Sequence, residues 1–293
     1  MDKKIKLGVI YGGRSGEHEV SLMSARSVLS VIDREKFDVI EIGITRQGLW
    51  LVGEDLWTKF HLEQYDGLTP AYFLPVPHNP GLYIKEDAEL ALFSTLDVVF
   101  PVMHGTFSED GTLQGLFELA DLAYIGAGVL GSAVCMDKAL FKDVMTAHQV
   151  PILPHQVFNR SQIEEDINRC LEMAESIADY PLFTKPANLG SSVGISKCTQ
   201  RSDLLEGFLE AVRYDRRILV EKGLENPREI EVSVLGNENP MASVPGEVVP
   251  KDIFYTYAEK YINDTAELLF PADLPDETAA EVQSLAIRAY QAT

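Results

Sequence analysis

Ile5-Lys6-Leu7-Gly8-Val9-Ile10-Tyr11-Gly12-Gly13-Arg14-Ser15-Gly16-Glu17-His18-Glu19-Val20-Ser21-Leu22 is the stretch that decides the fold. Ile5–Ile10 reads as a buried strand, and Tyr11–Gly16 as a glycine-rich loop. Beyond the loop, Val20, Met23, Val28, Leu29 and Ile32 recur at roughly helical spacing. Phe37–Ile44 is a second strand. This strand–loop–helix–strand order predicts a doubly wound parallel sheet, with functional groups at the carboxyl ends of its strands. The loop frees backbone amides at the start of a helix, where an anion can be held. Its spacing is not that of the Gly-x-Gly-x-x-Gly dinucleotide turn.

Working outward, Thr69–Pro80 is proline-rich and extended, and Leu96–Met103 is an apolar strand running into His104-Gly105. Thr112–Ala120 reads as a helix, and a first α/β unit is expected to span residues 1–127. A second, α+β unit with a largely antiparallel sheet is expected over residues 128–226. It would hold helices at Asp137–His148 and Ser161–Ala178, the latter capped by Ser161, and strands at Pro181–Lys185 and Ile218–Lys222. A third unit over residues 227–293 opens with the strict alternation of Glu229–Leu235, which predicts one half-buried strand neighboured by Val244–Val249. Asp276–Ala292 is a helix with Val282, Leu285, Ala286 and Ala289 on one stripe; the sequence stops soon after it, so this unit is expected to be incomplete.

The chain has 293 residues and a formal net charge of -20, with 46% hydrophobic residues. So acidic a surface repels phosphate backbones and anionic lipid, which argues against nucleic-acid and membrane partners. An anionic nucleotide is admissible only where lysines and backbone amides create a local positive field. Cys135, Cys170 and Cys198 are widely spaced and odd in number, as expected of reduced thiols in a cytoplasmic protein. No apolar run is long enough to span a bilayer.

Several constellations could carry chemistry. Glu17 either favours the helix dipole as a cap or offers an anionic clamp for a substrate ammonium group. His104 stands at a strand end before a glycine, a position suited to a functional loop as well as to a structural hydrogen bond. Lys138 opens a helix, Lys185 ends a strand beside the small-residue loop Asn188–Gly194, and Lys260 sits in an aromatic stretch. A strand-end cation beside a donor-rich loop suits phosphate. Glu221, in Val220-Glu221-Lys222-Gly223-Leu224, could read an adenine amino group, and Glu229 could accept from ribose hydroxyls. Phe254–Tyr261 is either a loop that covers a site and excludes water or an aromatic patch packed on the domain below.

In order, these segments resemble the D-alanine–D-alanine ligase family of the ATP-grasp superfamily. The segments are Gly-Gly-x-Ser-x-Glu-His-Glu-Val-Ser, His-Gly…Glu-Asp-Gly…Gln-Gly, Met-Asp-Lys, Lys-Pro…Gly-Ser-Ser-Val-Gly, Val-Glu-Lys, Glu-Ile-Glu-Val and Lys-Tyr. The resemblance runs from about Lys6 to Tyr290 and implies ATP and D-alanine as ligands, magnesium or manganese as cofactor, and a homodimer formed through the first domain. It further implies that Glu17 binds the ammonium of the first D-alanine, with His104 near its carboxylate. Lys138 and Lys185 would contact ATP phosphates and Lys260 the γ-phosphate. Ser191 and Ser192 would lie in the phosphate-side loop, with Ser191 linking Glu17 to Tyr261. Glu221 would read the adenine and Glu229 the ribose, with Lys222 and Leu224 also binding ATP. Tyr261 would favour an amine as second substrate. The Arg-x-Asp and Glu-x-Asn segments that hold magnesium in such ligases do not precede Thr293. The expectation is therefore of no metal ligands within this sequence and of little or no ligase activity from it alone. The alternatives are a ligase for D-serine or another amine, and a nucleotide-binding chain without catalysis.

Overall fold

The computed structural model describes residues 3–77, 81–249 and 267–293. It divides into two compact units, the first ending at Ala133 and the second beginning at Val134.

The first unit is built on β1 (Ile5–Gly12), α1 (His18–Val31) and β2 (Phe37–Ile44), as the opening stretch predicts. Side chains alternate along β1. Leu7, Val9 and Tyr11 pack with Leu22 and Ala25 of α1, while Ile10 faces the opposite core with Ile42 and Phe117. A strand buried on both faces belongs in the middle of a sheet. Accordingly β1 lies between β2 and β7 (Val98–Pro101), parallel to both, and β8 (Ala123–Tyr124) adds a fourth parallel strand. The sheet continues beyond expectation on the other side. Strands β3 (Trp50–Val52), β4 (Thr69–Phe73), β5 (Gly81–Glu86) and β6 (Glu89–Thr95) pair antiparallel in succession from β2, giving the order β6-β5-β4-β3-β2-β1-β7-β8. Helices α2 (Leu56–His61) and α3 (Thr112–Leu119) complete the packing, with Phe60 and Phe117 fully buried. Helix α4 (Val129–Met136) leads out of this unit.

The first helix wholly within the second unit is α5 (Lys138–Ala147), whose N-cap Asp137 accepts from the Leu140 amide at 3.0 Å. Its four-stranded sheet is wholly antiparallel, in the order β11 (Ser196–Cys198), β10 (Leu182–Pro186), β12 (Arg217–Lys222), β9 (His155–Asn159). One face, with Leu182, Ile218 and Val220, packs on α6 (Arg160–Glu165), α7 (Ile167–Glu175) and α8 (Arg201–Ala211). The pleat sends Phe183, Lys185, Leu219 and Glu221 to the other face. The helix expected over Ser161–Ala178 is two helices. Asn159, not Ser161, is the N-cap of the first, and its amide donates to Gln162 Oε1 at 2.8 Å. Asp166 interrupts the run because its side chain caps the second helix, accepting from the Arg169 amide at 3.0 Å.

The single strand expected over Glu229–Leu235 is likewise two. β13 (Glu229–Glu231) joins β16 (Gly246–Val249) and β17 (Glu267–Leu269), while β14 (Val234–Leu235) pairs with β15 (Met241–Ala242) in a separate hairpin. The break falls at Ser233, whose amide donates to Ser243 Oγ at 3.0 Å. The predicted helix is present as α9 (Asp276–Ala292), and its Arg288 donates to the carbonyls of His148 and Gln149 after α5, at 2.9 and 3.0 Å.

Candidate functional site

In the first unit, the loop after β1 is shaped by backbone demands. Gly12 has φ of 88°, and an added Cβ would lie 2.3 Å from the Ile44 carbonyl oxygen, so only glycine fits there. Ser21 of α1 clamps the turn, accepting from the Gly12 amide at 2.7 Å and donating to the Val102 carbonyl at 2.5 Å. Glu17 occupies the N-cap of α1, but its side chain makes no capping hydrogen bond to that helix. The carboxylate is 8% exposed and lies against Gly105, where a Cβ would stand 2.2 Å from Glu17 Oε2. Thus the loop after β1 and the loop after β7 meet at the carboxyl edge of the parallel strands, as expected. His104 is held on two sides. Its carbonyl accepts from Ser15 Oγ at 2.6 Å, and its Nε2 lies 2.9 Å from Ser24 Oγ. Glu109 steadies the same loop, accepting from the Gly105 amide at 2.6 Å.

In the second unit, Lys138, Lys142, Lys185 and Glu221 gather on the exposed-side face of the four-stranded sheet. Lys185 and Glu221 are brought together by register. Lys185 is paired with Leu219 and Glu221 with Phe183, so the two are diagonal neighbours on one face. Glu221 is 6% exposed and lies between two ammonium groups, with Lys185 Nζ 2.5 Å from Oε1 and Lys142 Nζ 2.7 Å from Oε2. Burial alone would raise its pKa; the two lysines outweigh this and hold it below the usual carboxylate value. Lys138 donates to the Leu189 carbonyl. Desolvation, reinforced by Lys185, lowers its pKa to about 8. The amide of Lys138 donates to the Ala187 carbonyl at 2.8 Å, which fixes the start of α5 beside the Asn188–Gly194 loop. Asp137 pairs with Arg217, and Asp215 accepts from the Asn188 amide at 2.7 Å.

Ser191 and Ser192 sit in the turn of that loop with φ of 49° and 58°. Lys222 ends β12 with its side chain outward, its amide donating to the Pro154 carbonyl at 3.0 Å. Leu224 is 47% exposed just beyond. Glu229 lies on β13, opposite Val248, in a different sheet from Glu221. Lys260, Tyr261 and the rest of the Phe254–Tyr261 stretch lie outside the described residues. Sequence reasoning missed Lys142, although it lies one helical turn after Lys138 and the spacing could have placed both on one face. It also missed Ser24 and Glu109, which support His104, and the Asp137–Arg217 pair. Among the described residues, no three His, Cys, Asp or Glu side chains gather as metal ligands would, and all three cysteines are free.

The family described as D-ala D-ala ligase N-terminus matches residues 6–127, and that described as D-ala D-ala ligase C-terminus matches residues 144–293. The chain belongs to the D-alanine–D-alanine ligase family. The ligase of that name from Heliobacterium modesticaldum is 48% identical over 289 residues, covering 99% of this chain and 78% of its own length. That from Natranaerobius thermophilus is 43% identical over 290 residues, covering 99% and 79%. Among solved structures, VanG D-Ala:D-Ser ligase from Enterococcus faecalis matches with a TM-score of 0.85 at 33% identity, over 99% of this chain and 83% of that one. The D-alanine–D-alanine ligase from Coxiella burnetii gives 0.81 at 30%, over 99% and 78%. The family's fold is ATP-grasp, and its members are ATP-dependent ligases that form a carbon–nitrogen bond.

Proposed function

We propose that the chain joins two D-alanines to D-alanyl-D-alanine at the expense of ATP, for peptidoglycan precursor synthesis in the cytoplasm, and that it does so as a homodimer. The observation that carries this reading is the row Lys138, Lys185, Lys142 around a single buried Glu221. Three lysines converging on one buried carboxylate in a chain of net charge -20 suit a polyphosphate. The identity of the amino acid is supported by the names of the relatives at 43% and 48% identity. No helix among the described residues is long and apolar enough to cross a membrane.

In this reading the carboxylate of the first D-alanine attacks the γ-phosphorus, ADP leaves and an acyl phosphate forms. The amine of the second D-alanine then attacks the acyl carbon, loses a proton, and phosphate leaves. Lys138 and Lys185 hold the phosphates, joined by Lys260, with Ser191 and Ser192 on the phosphate-side loop. Glu17 accepts from the first substrate's ammonium, and His104, oriented by Ser24, meets its carboxylate. Ser191 links Glu17 to Tyr261. Glu221 receives the adenine and Glu229 the ribose, and Lys222 and Leu224 also contact the nucleotide. The division into residues 1–127, 128–226 and 227–293 belongs to the same reading. It is supported by the end of one family match at 127 and by the change of sheet between β12 and β13. Magnesium or manganese is the expected cofactor. The described residues do not form a site for it.

The test is incubation of the protein, extended by the family's Arg-x-Asp and Glu-x-Asn segments, with ATP, magnesium and isotopically labelled D-alanine. Mass spectrometry should show the dipeptide, with ADP and phosphate released in equal amounts. ATP binding without dipeptide from any D-amino acid would refute the ligase assignment. D-Serine is the second reading, favoured by the match to the VanG ligase. Equimolar competition between D-alanine and D-serine for the second position should give mainly D-alanyl-D-alanine if the first reading holds.

A further inference from the structure

Glu221 poses a question that its expected role leaves open. Its carboxylate is buried, yet both oxygens already face lysines, and one of these, Lys185, is a residue proposed to hold phosphate. Lys185 is drawn to Glu221 Oε1 at 2.5 Å and repelled by Lys138, close enough for Lys185 to depress the Lys138 pKa, so an anion between the two lysines would relieve that repulsion. An arriving polyphosphate offers Lys185 a stronger partner than one carboxylate. When Lys185 turns to it, Glu221 keeps one cation, Lys142, at 2.7 Å from the other oxygen. Lys142 is the more deeply set of the two, with 14% of its side chain exposed against 24% for Lys185. It also comes from a different element, the second turn of α5, so it need not move with β10.

We propose that Lys142 is a positioning residue for the nucleotide: it keeps Glu221 ionised and in place when Lys185 leaves Glu221 for the phosphates. This rests on the reading that the lysine row binds a nucleotide. Without Lys142, Glu221 would face a choice between two poor states. Either Lys185 stays with it and is lost to the phosphates, or Lys185 leaves and a buried carboxylate stands with no cation, where desolvation favours the protonated form. Only the ionised form is a pure acceptor, suited to an exocyclic amino group such as adenine's; guanine presents an oxygen at that position.

The experiment is a double-mutant cycle on the protein extended by the family's Arg-x-Asp and Glu-x-Asn segments, with Lys142→Met, Glu221→Gln and the pair, together with Lys142→Arg. The readouts are the ADP dissociation constant, KM for ATP and for D-alanine, and the thermal midpoint. Lys142→Met should weaken ADP and raise the ATP KM about tenfold, the scale of one charge-assisted hydrogen bond. It should leave the D-alanine KM within about twofold, and Lys142→Arg should recover most of the loss. In the Glu221→Gln background, Lys142→Met should change ADP binding by less than about twofold. Equal losses in both backgrounds, or parallel rises in both KM values, would show a merely structural lysine and overturn the proposal. If Lys142→Met does not fold, Lys142→Gln, neutral and still a donor, is read by the same criteria. An extended protein that binds ADP but makes no dipeptide sinks the ligase reading and leaves the ADP cycle decisive for Lys142. A protein that ligates but shows no coupling in the cycle sinks only the role of Lys142.

Discussion

At Lys138 two influences act in one direction. Desolvation first, and then the neighbouring Lys185, bring its ammonium pKa down to about 8, against the pull of Asp137, Asp215 and Glu221. A lowered pKa means that the charged form is present below about 8 and is lost as the pH rises through it. Nucleotide affinity should therefore hold between pH 6.5 and 7.5 and fall progressively above 8, because the free protein must take up a proton to bind. Titration of ADP binding from pH 6.5 to 9.5 checks this, and the bend at 8 should vanish in Lys138→Met. Gly105 supports a second residue-scale prediction. Its φ is 75°, and a Cβ would sit 2.2 Å from Glu17 Oε2. Gly105→Ala thus combines left-handed strain of about 1–2 kcal/mol with displacement of the carboxylate. It should raise KM for D-alanine at least about tenfold while leaving ADP affinity unchanged, since no nucleotide group is placed on Gly105.

Single helices and strands show where local chemistry overrides periodicity. Asp166 caps α7 through one hydrogen bond, and Asp166→Ala should cost about 1 kcal/mol in urea unfolding. Asp137 caps α5 and also pairs with Arg217, so Asp137→Ala should cost more, roughly 2–3 kcal/mol, while Asp137→Asn should retain the cap and lose only the pair. If both alanine variants cost the same, the Arg217 pair adds nothing. These two aspartates also mark what could and could not be read from sequence. The start of α5 was legible because Asp137 immediately precedes a helical apolar pattern. The Asp166 break was not, because the apolar spacing continues through it and only the cap geometry distinguishes one helix from two. Glu17 at a strand–helix turn could be found from its glycine-rich surroundings. The antiparallel strands β3 to β6 could not, since short strands and proline-rich segments carry little periodicity and their pairing is set by the sheet edge offered by β2. Lys142 was within reach through its helical spacing from Lys138, whereas the contact of Lys185 with Glu221 depends on strand register, which alternation alone does not specify.

For the whole molecule, two fields act on a nucleotide with opposite sign. The net charge of -20 repels it at long range, while the lysines near Glu221 attract it at short range. Salt separates them. The Debye length is about 30 Å at 0.01 M, about 8 Å at 0.15 M and about 3 Å at 1 M. At the lowest ionic strength an approaching ADP feels the whole acidic surface. At physiological salt that surface is screened while the partly buried lysines, close to their ligand, still act. At 1 M even they are weakened. Stopped-flow measurement should therefore show the ADP association rate rising from 0.01 to 0.15 M and falling again toward 1 M. A basic binder would slow monotonically from the start. A monotonic decline here would mean that the lysine row governs the encounter at every distance, and that the acidic surface lies too far from the nucleotide's path to matter.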